Sequence, residues 1–236
     1  MAEFPCDPML SKAILASEKY ECVEEMLTIC SMLDENNSVF YRPKDKALHA
    51  DNAKQNFARG GHGDHFALLN VYADWADTNY SLQGCFENVV QEKCMRRARD
   101  IRDQCIDLCE RVELELVSSS DVAKIAKAVT AGYFYHNAQF QKDGSYRTVK
   151  NPHTVSIHPQ STLFKDNDNL PRWVVYHQYM EPLLPTPTAS TVHRYIEETR
   201  NPMLSLVFAA LIFIIMRTVL SDMPHEAESV LIIILT

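Results

Sequence analysis

Glycine is scarce, at six of 236 residues, and the motifs built on it are missing. There is no G-x-x-x-x-G-K-[ST] loop to cradle the phosphates of a nucleotide and no G-x-G-x-x-G turn for a dinucleotide. H-E-x-x-H and G-x-S-x-G are absent too, which removes the commonest zinc-peptidase and serine-hydrolase signatures. Positive charge is in deficit: the formal net charge is -8, so any phosphate-binding surface must be a local stripe. The seven cysteines are odd in number and fall at no disulfide-framework spacing. With no N-terminal secretory signal in the chain, the expected setting is reduced and intracellular. Long apolar runs are lacking as well. Residues 203–216 are apolar apart from Ser205, short of the roughly 20 residues a membrane helix needs. The run reaches 203–220 only by taking in Arg217 and Thr218, and a buried helix and a tail anchor both stay open.

What is present reads as α followed by β. Asp7-Pro8 is a helix start, a capping carboxylate before a proline that needs no N–H donor. Leu10, Ala13 and Ile14 give a first apolar face, and Val23, Met26, Leu27, Cys30 and Leu33 give a second at helical spacing. Residues 41–63 read as a loop, with Pro43 and the run Arg59-Gly60-Gly61-His62-Gly63. Asp64 is expected to cap the next helix, which buries Leu68, Val71, Tyr72 and Trp75, and Ser81 to open another. The longest helix is expected over 87–112, with its apolar stripe at Cys94, Ala98, Ile101, Cys105, Leu108 and Val112. Asp121 begins a short helix. Short aromatic and β-branched runs then follow at 133–140, 146–149, 154–157 and 172–177, divided by Asp143-Gly144, Asn151-Pro152 and a polar loop at 165–169, as in a small barrel or sandwich. Pro182, Pro185 and Pro187 break any regular element after that.

Seven strings in this order carry a resemblance: LSKAILASEKYECVEEMLTICSML from Leu10, FYRPKDKALHADNAKQNF from Phe40, GDHFALLNVYADW from Gly63, MRRARDIRDQ from Met95, AGYFYHNAQ from Ala131, DGSYRTVKNPHTVSIHPQS from Asp143, and PRWVVYH from Pro171. Together they resemble the C-terminal region of spliceosomal DEAH-box RNA helicases, closest to the branch that remodels the spliceosome before the first catalytic step. The resemblance implies an α+β chain: a helical bundle followed by a small OB-fold β-barrel. The bundle comprises the C-terminal part of a winged-helix domain (1–40) and a helical ratchet domain (45–115); the barrel is 118–177. After His177 the likeness stops where the last barrel strand should follow, so the barrel's completeness is left open and 178–236 reads as a tail foreign to the family.

Arg96, Arg97, Arg99 and Arg102 place four guanidiniums within seven residues, and the planar fork of each suits phosphate. Asp100, Asp103 and Asp107 on the same helix offer them partners instead. On a helical wheel Arg96 and Arg99 point away from the apolar stripe, whereas Arg97 and Arg102 flank it. In the family this helix lines a channel for single-stranded RNA. Tyr146, Arg147 and Lys150 follow the Asp143-Gly144 turn, where an OB-fold offers aromatic platforms and a positive groove; Tyr133 and Tyr135 are expected in the core or as cross-strand partners. His62, Asp64 and His65 invite a metal reading, but no cysteine pair at zinc spacing lies beside them. Cys105 and Cys109 lie on an apolar stripe, where a thiol behaves as a small hydrophobe. No metal site is expected.

Phosphoryl transfer needs a phosphate cradle, a magnesium carboxylate and a positioned water. ATP and Mg²⁺ belong to motor domains that are absent from these residues, and the chain by itself is expected to have no catalytic residues and no ATPase activity. The resemblance implies single-stranded RNA or pre-mRNA, the spliceosome and a glycine-patch activator protein as partners, and the nucleus as the location. The readings set against it are a tail-anchored membrane protein with a helicase-derived head and a truncated product with no role.

Overall fold

The computed structural model describes residues 4, 6–34, 39–59, 61–165, 170–180 and 190–197. The apolar run 203–220 and the proline-rich stretch 182–187 lie outside them. Among the described residues no helix is long and apolar enough to cross a membrane.

Helix α1 (Pro8–Lys19) starts as its sequence dictates: the Asp7 carboxylate accepts the Met9 N–H at 2.7 Å and Pro8 occupies the first turn. Helix α2 (Val23–Asp34) buries the expected Val23, Met26, Leu27, Cys30 and Leu33, and also Ile29 and Met32. A helix buried on several sides is surrounded by others, and α2 packs against α1, α4 (Asp64–Asp77), α6 (Glu92–Arg111) and α7 (Val122–Gly132). All contribute to one core. That core spans the boundary drawn near residues 40–45 between a winged-helix remnant and a ratchet domain. The stretch read as a loop contains a 3-10 turn (Lys44–Lys46) and helix α3 (Ala47–Phe57). Its buried face is Ala50, Ala53 and Phe57, two of them too small to mark a stripe. A short α5 (Leu82–Glu87) follows, its first turn capped by the Ser81 hydroxyl.

Gly132 ends α7 against α1. A Cβ there would lie 2.5 Å from the Met9 carbonyl oxygen and 2.6 Å from the Ala13 Cβ, so only glycine lets the two helices approach this closely.

The β half comprises β1 (Asn137–Phe140), β2 (Tyr146–Thr148), β3 (Thr154–Ile157), β4 (Trp173–Met180) and β5 (Ser190–Glu197). Strands β3, β2, β1 and β4 form a curled antiparallel sheet, a half-barrel. Gly144, at φ 83°, makes the β1–β2 turn, where the Asp143 carboxylate accepts the Ser145 N–H at 3.0 Å. Strand β5 then runs parallel to β3 and antiparallel to β4, closing the ring in the order β1-β2-β3-β5-β4. The completeness left open after His177 is met by β4, which continues to Met180, and by its pairing with β5. The intervening prolines concealed that strand in the sequence.

The barrel holds its own core of Ala138, Tyr146, Val155, Ile157, Leu163, Val174 and Tyr176. Successive residues of a strand face opposite ways. Val174 accordingly belongs to the barrel core and Val175 to the helical one.

Candidate nucleic-acid interface

Strand β2 alternates in, out, in. Tyr146 is 2% exposed, its hydroxyl donates to the Pro171 carbonyl at 2.7 Å and its ring packs 5.2 Å from that of Phe140. It is a core residue and cannot serve as the platform expected of it. The pleat turns Arg147, between Tyr146 and Thr148, to solvent.

Beyond β2 the chain makes a tight, internally bonded turn. The Thr148 hydroxyl donates to the Asn151 carbonyl and accepts the His153 N–H, both at 2.8 Å, and Asn151 takes a positive φ of 54°. This turn projects Lys150, whose ammonium sits 4.0 Å over the ring of Tyr135. Tyr135, expected in the core or as a cross-strand partner, lies instead in the connection between α7 and β1, 49% exposed, with its ring 3.9 Å from that of Phe134. Lys150, Asn151, His153, Tyr135 and His136 line one cleft of about 390 Å³. At its wall the His136 ring stacks on Tyr176 at 4.8 Å, the planes 7° apart. Burial lowers the pKa of His136, against the opposing pull of the Tyr176 and His177 carbonyls it contacts. A cation, a half-exposed aromatic ring, a side-chain amide and an imidazole can together contact a base edge and neutralise a phosphate.

The arginine helix is arranged differently from the wheel. Met95 joins Cys94, Ala98, Cys105 and Cys109 in the buried face of α6 and rotates it toward Arg102. Arg102 is half-buried, donates to the Thr28 hydroxyl at 3.0 Å, pairs with Glu24 at 3.4 Å and lies 5.9 Å over Tyr72. It fastens α6 to α2, so its guanidinium is committed within the protein and is not available for the RNA contact expected of it. Arg99 pairs with Asp100 at 3.5 Å and lies 5.3 Å over Tyr80. Arg96 is exposed and pairs with Glu92 one turn back; Arg97 is exposed. None of the four lines the barrel cleft.

Sequence reasoning missed a second concave surface. Phe40, Tyr41, Arg42, Lys54, His158 and Gln160 surround a volume of about 400 Å³ between the helices and the barrel. Its cations are neutralised: Arg42 makes a two-point bond to Asp51 at 2.7 and 3.0 Å, and Lys54 lies 3.4 Å from Asp64 and donates to the Gln160 carbonyl. Asp64 does not cap α4, whose N-cap is Gly63. Its buried carboxylate accepts the Ser161 hydroxyl at 2.5 Å and the Thr162 N–H at 3.1 Å, tying α4 to the loop before β4. Burial would raise the carboxyl's pKa, but Lys54 and these two donors outweigh it and hold it below the ordinary range.

Among the described residues no three His, Cys, Asp or Glu side chains are grouped to hold a metal. Cys109 is buried, which pushes its thiol up to about 11. His62 packs edge-on against Phe66 at 5.5 Å.

Two stretches match known protein families. Residues 7–68 match the helicase-associated domain (HA2), ratchet-like, and residues 125–185 match the oligonucleotide/oligosaccharide-binding (OB) fold. Together they fit the C-terminal region of a DEAH/RHA-type helicase. The barrel cleft lies within the OB-fold match, apart from Met9. Helix α6 falls between the two matches. The HA2 match begins in α1 and runs through α2 and α3 into α4, across the expected boundary at 40–45. The two domains mark a helicase C-terminal region with a nucleic-acid-binding role.

Proposed function

We propose that this chain is the RNA-binding and regulatory region of a pre-mRNA-splicing DEAH-box RNA helicase. It holds single-stranded RNA at the barrel cleft and along Arg147, with Arg96 and Arg97 as an outlying contact. It does not hydrolyse ATP itself; ATP and Mg²⁺ act at the motor domains of the full enzyme. The spliceosome is its assembly, a glycine-patch protein its activator and the nucleus its location, all three resting on the resemblance of the seven strings. The observation that carries RNA binding is Lys150 held over the half-exposed ring of Tyr135, both lining the cleft. Two flat or charged surfaces placed so close suit a base and its phosphate.

The test is binding of a fluorescent oligouridine to the full chain across a salt series. Affinity should fall with salt at a log–log slope of about -0.7 per phosphate contact. Tyr135→Ala should weaken binding about tenfold, as loss of one stacking platform does. Lys150→Ala should both weaken it and flatten the slope. Unchanged affinity in both variants, with the fold intact by circular dichroism, refutes the cleft as the site.

A further inference from the structure

The helical part has a second groove, between α4 and α5, of about 300 Å³. Trp75 walls it from α4 and Gly84 from α5, and Asp74 and Asp77 line it as well. Nothing in the backbone requires glycine at 84. Its φ is not positive, and an added Cβ would meet only the Thr78 hydroxyl at 3.5 Å and the Ser81 Cβ at 3.9 Å, ordinary contacts. The missing side chain is what leaves the groove open. The carboxylates of Asp74 and Asp77 are solvent-exposed, and among the described residues neither forms an ion pair. They differ in this from Asp51 and Asp64, whose charges are answered. Trp75 in the groove wall is 5% exposed, and its indole N–H has no hydrogen-bond partner among the described residues.

We propose that the α4–α5 groove binds a basic, amphipathic segment of another protein. The segment sets an apolar side chain beside Gly84 and a Lys or Arg against Asp74 and Asp77. Charge complementarity selects this occupant: two unanswered carboxylates repel a phosphate backbone and attract a cation, and the volume admits one or two side chains. The site is separate from the barrel cleft and stands whether or not that cleft binds RNA. Trp75 in the wall supplies a fluorescent reporter, with Trp173 in β4 as the other indole of the chain.

The test is selection of short random peptides displayed on phage against the full chain. Enriched sequences are expected to pair an apolar anchor with Lys or Arg, and tryptophan-free synthetic copies to change Trp75 fluorescence on binding. Gly84→Leu, which fills the groove, and Asp74→Asn with Asp77→Asn should each weaken those copies by at least about tenfold. The double Asn variant alters exposed groups only and keeps the test decisive should Gly84→Leu fail to fold. The proposal is overturned if no sequence is enriched, if enriched peptides lack basic residues, or if they bind the double Asn variant as well as the natural chain. It is also overturned if an oligouridine displaces them, or if the natural chain is a dimer by sedimentation and Gly84→Leu a monomer, since RNA or a second copy would then be the occupant.

Discussion

The helices and the barrel spend their cations differently. In the helical part Arg42, Lys54 and Arg102 are each held against a carboxylate on another element or at a distance along the chain, and Arg102 reaches across to α2. In the barrel, Arg147 stands on the outward side of β2 and Lys150 leans on an exposed aromatic ring, with no carboxylate partner for either among the described residues. Arginine density is higher on α6, yet the barrel hairpin carries its cations without carboxylate partners among the described residues. What decides is how much of each charge is already answered, since desolvating and re-pairing a committed guanidinium offsets much of what a phosphate would contribute.

This contrast can be broken at its joint. Asp64→Ala should have the largest effect, about 3 kcal/mol off the unfolding free energy, because it leaves Lys54 and two buried donors without their acceptor. Urea denaturation measures it. The sign with pH follows from the lowered folded-state pKa. The stabilisation is present above the unfolded carboxyl's pKa, near 3.9, and is lost as pH falls through it toward the folded value. The Ala variant should therefore lose less stability on acidification than the natural chain. Next comes Gly132→Ala, expected to cost about 2 kcal/mol because the new methyl meets backbone at the α1–α7 crossing. Smallest is Arg102→Ala, about 1 kcal/mol from its bonds to Thr28 and Glu24. It sharpens the comparison most. Stability should drop while oligouridine affinity holds, whereas Arg147→Ala should do the reverse; an equal loss of RNA affinity in both would erase the distinction between the two regions.

Much of this arrangement is readable in the chain, and what is not has identifiable causes. Asp7-Pro8 and Asp121 are local signals, and both cap as expected, Asp121 accepting the Ala123 N–H at 2.8 Å. The four first strands announce themselves through β-branched and aromatic runs between turn residues. Helix α3 does not, because alanine at 50 and 53 makes a buried face that hydrophobicity hardly registers. Residue type alone suggests Tyr146 for RNA, although the alternation Tyr-Arg-Thr places Arg147 opposite it. Asp64 reads as a helix cap because its true partners, Ser161 and Thr162, lie almost a hundred positions away. The apolar stripe read from the sequence lacks Met95, and this one extra buried side chain turns the helix enough to bring Arg102 inward.

Strand β4 gives its two neighbouring valines to two different cores, Val174 to the barrel and Val175 to the helices. Neither core can dissolve without taking the other's wall with it, so the two domains should melt as one cooperative unit in calorimetry, despite matching separate families. A single residue inserted into β4 would exchange every inward and outward side chain beyond it. Such an insertion injures both domains at once, and the strand is therefore the part of the molecule least free to change length.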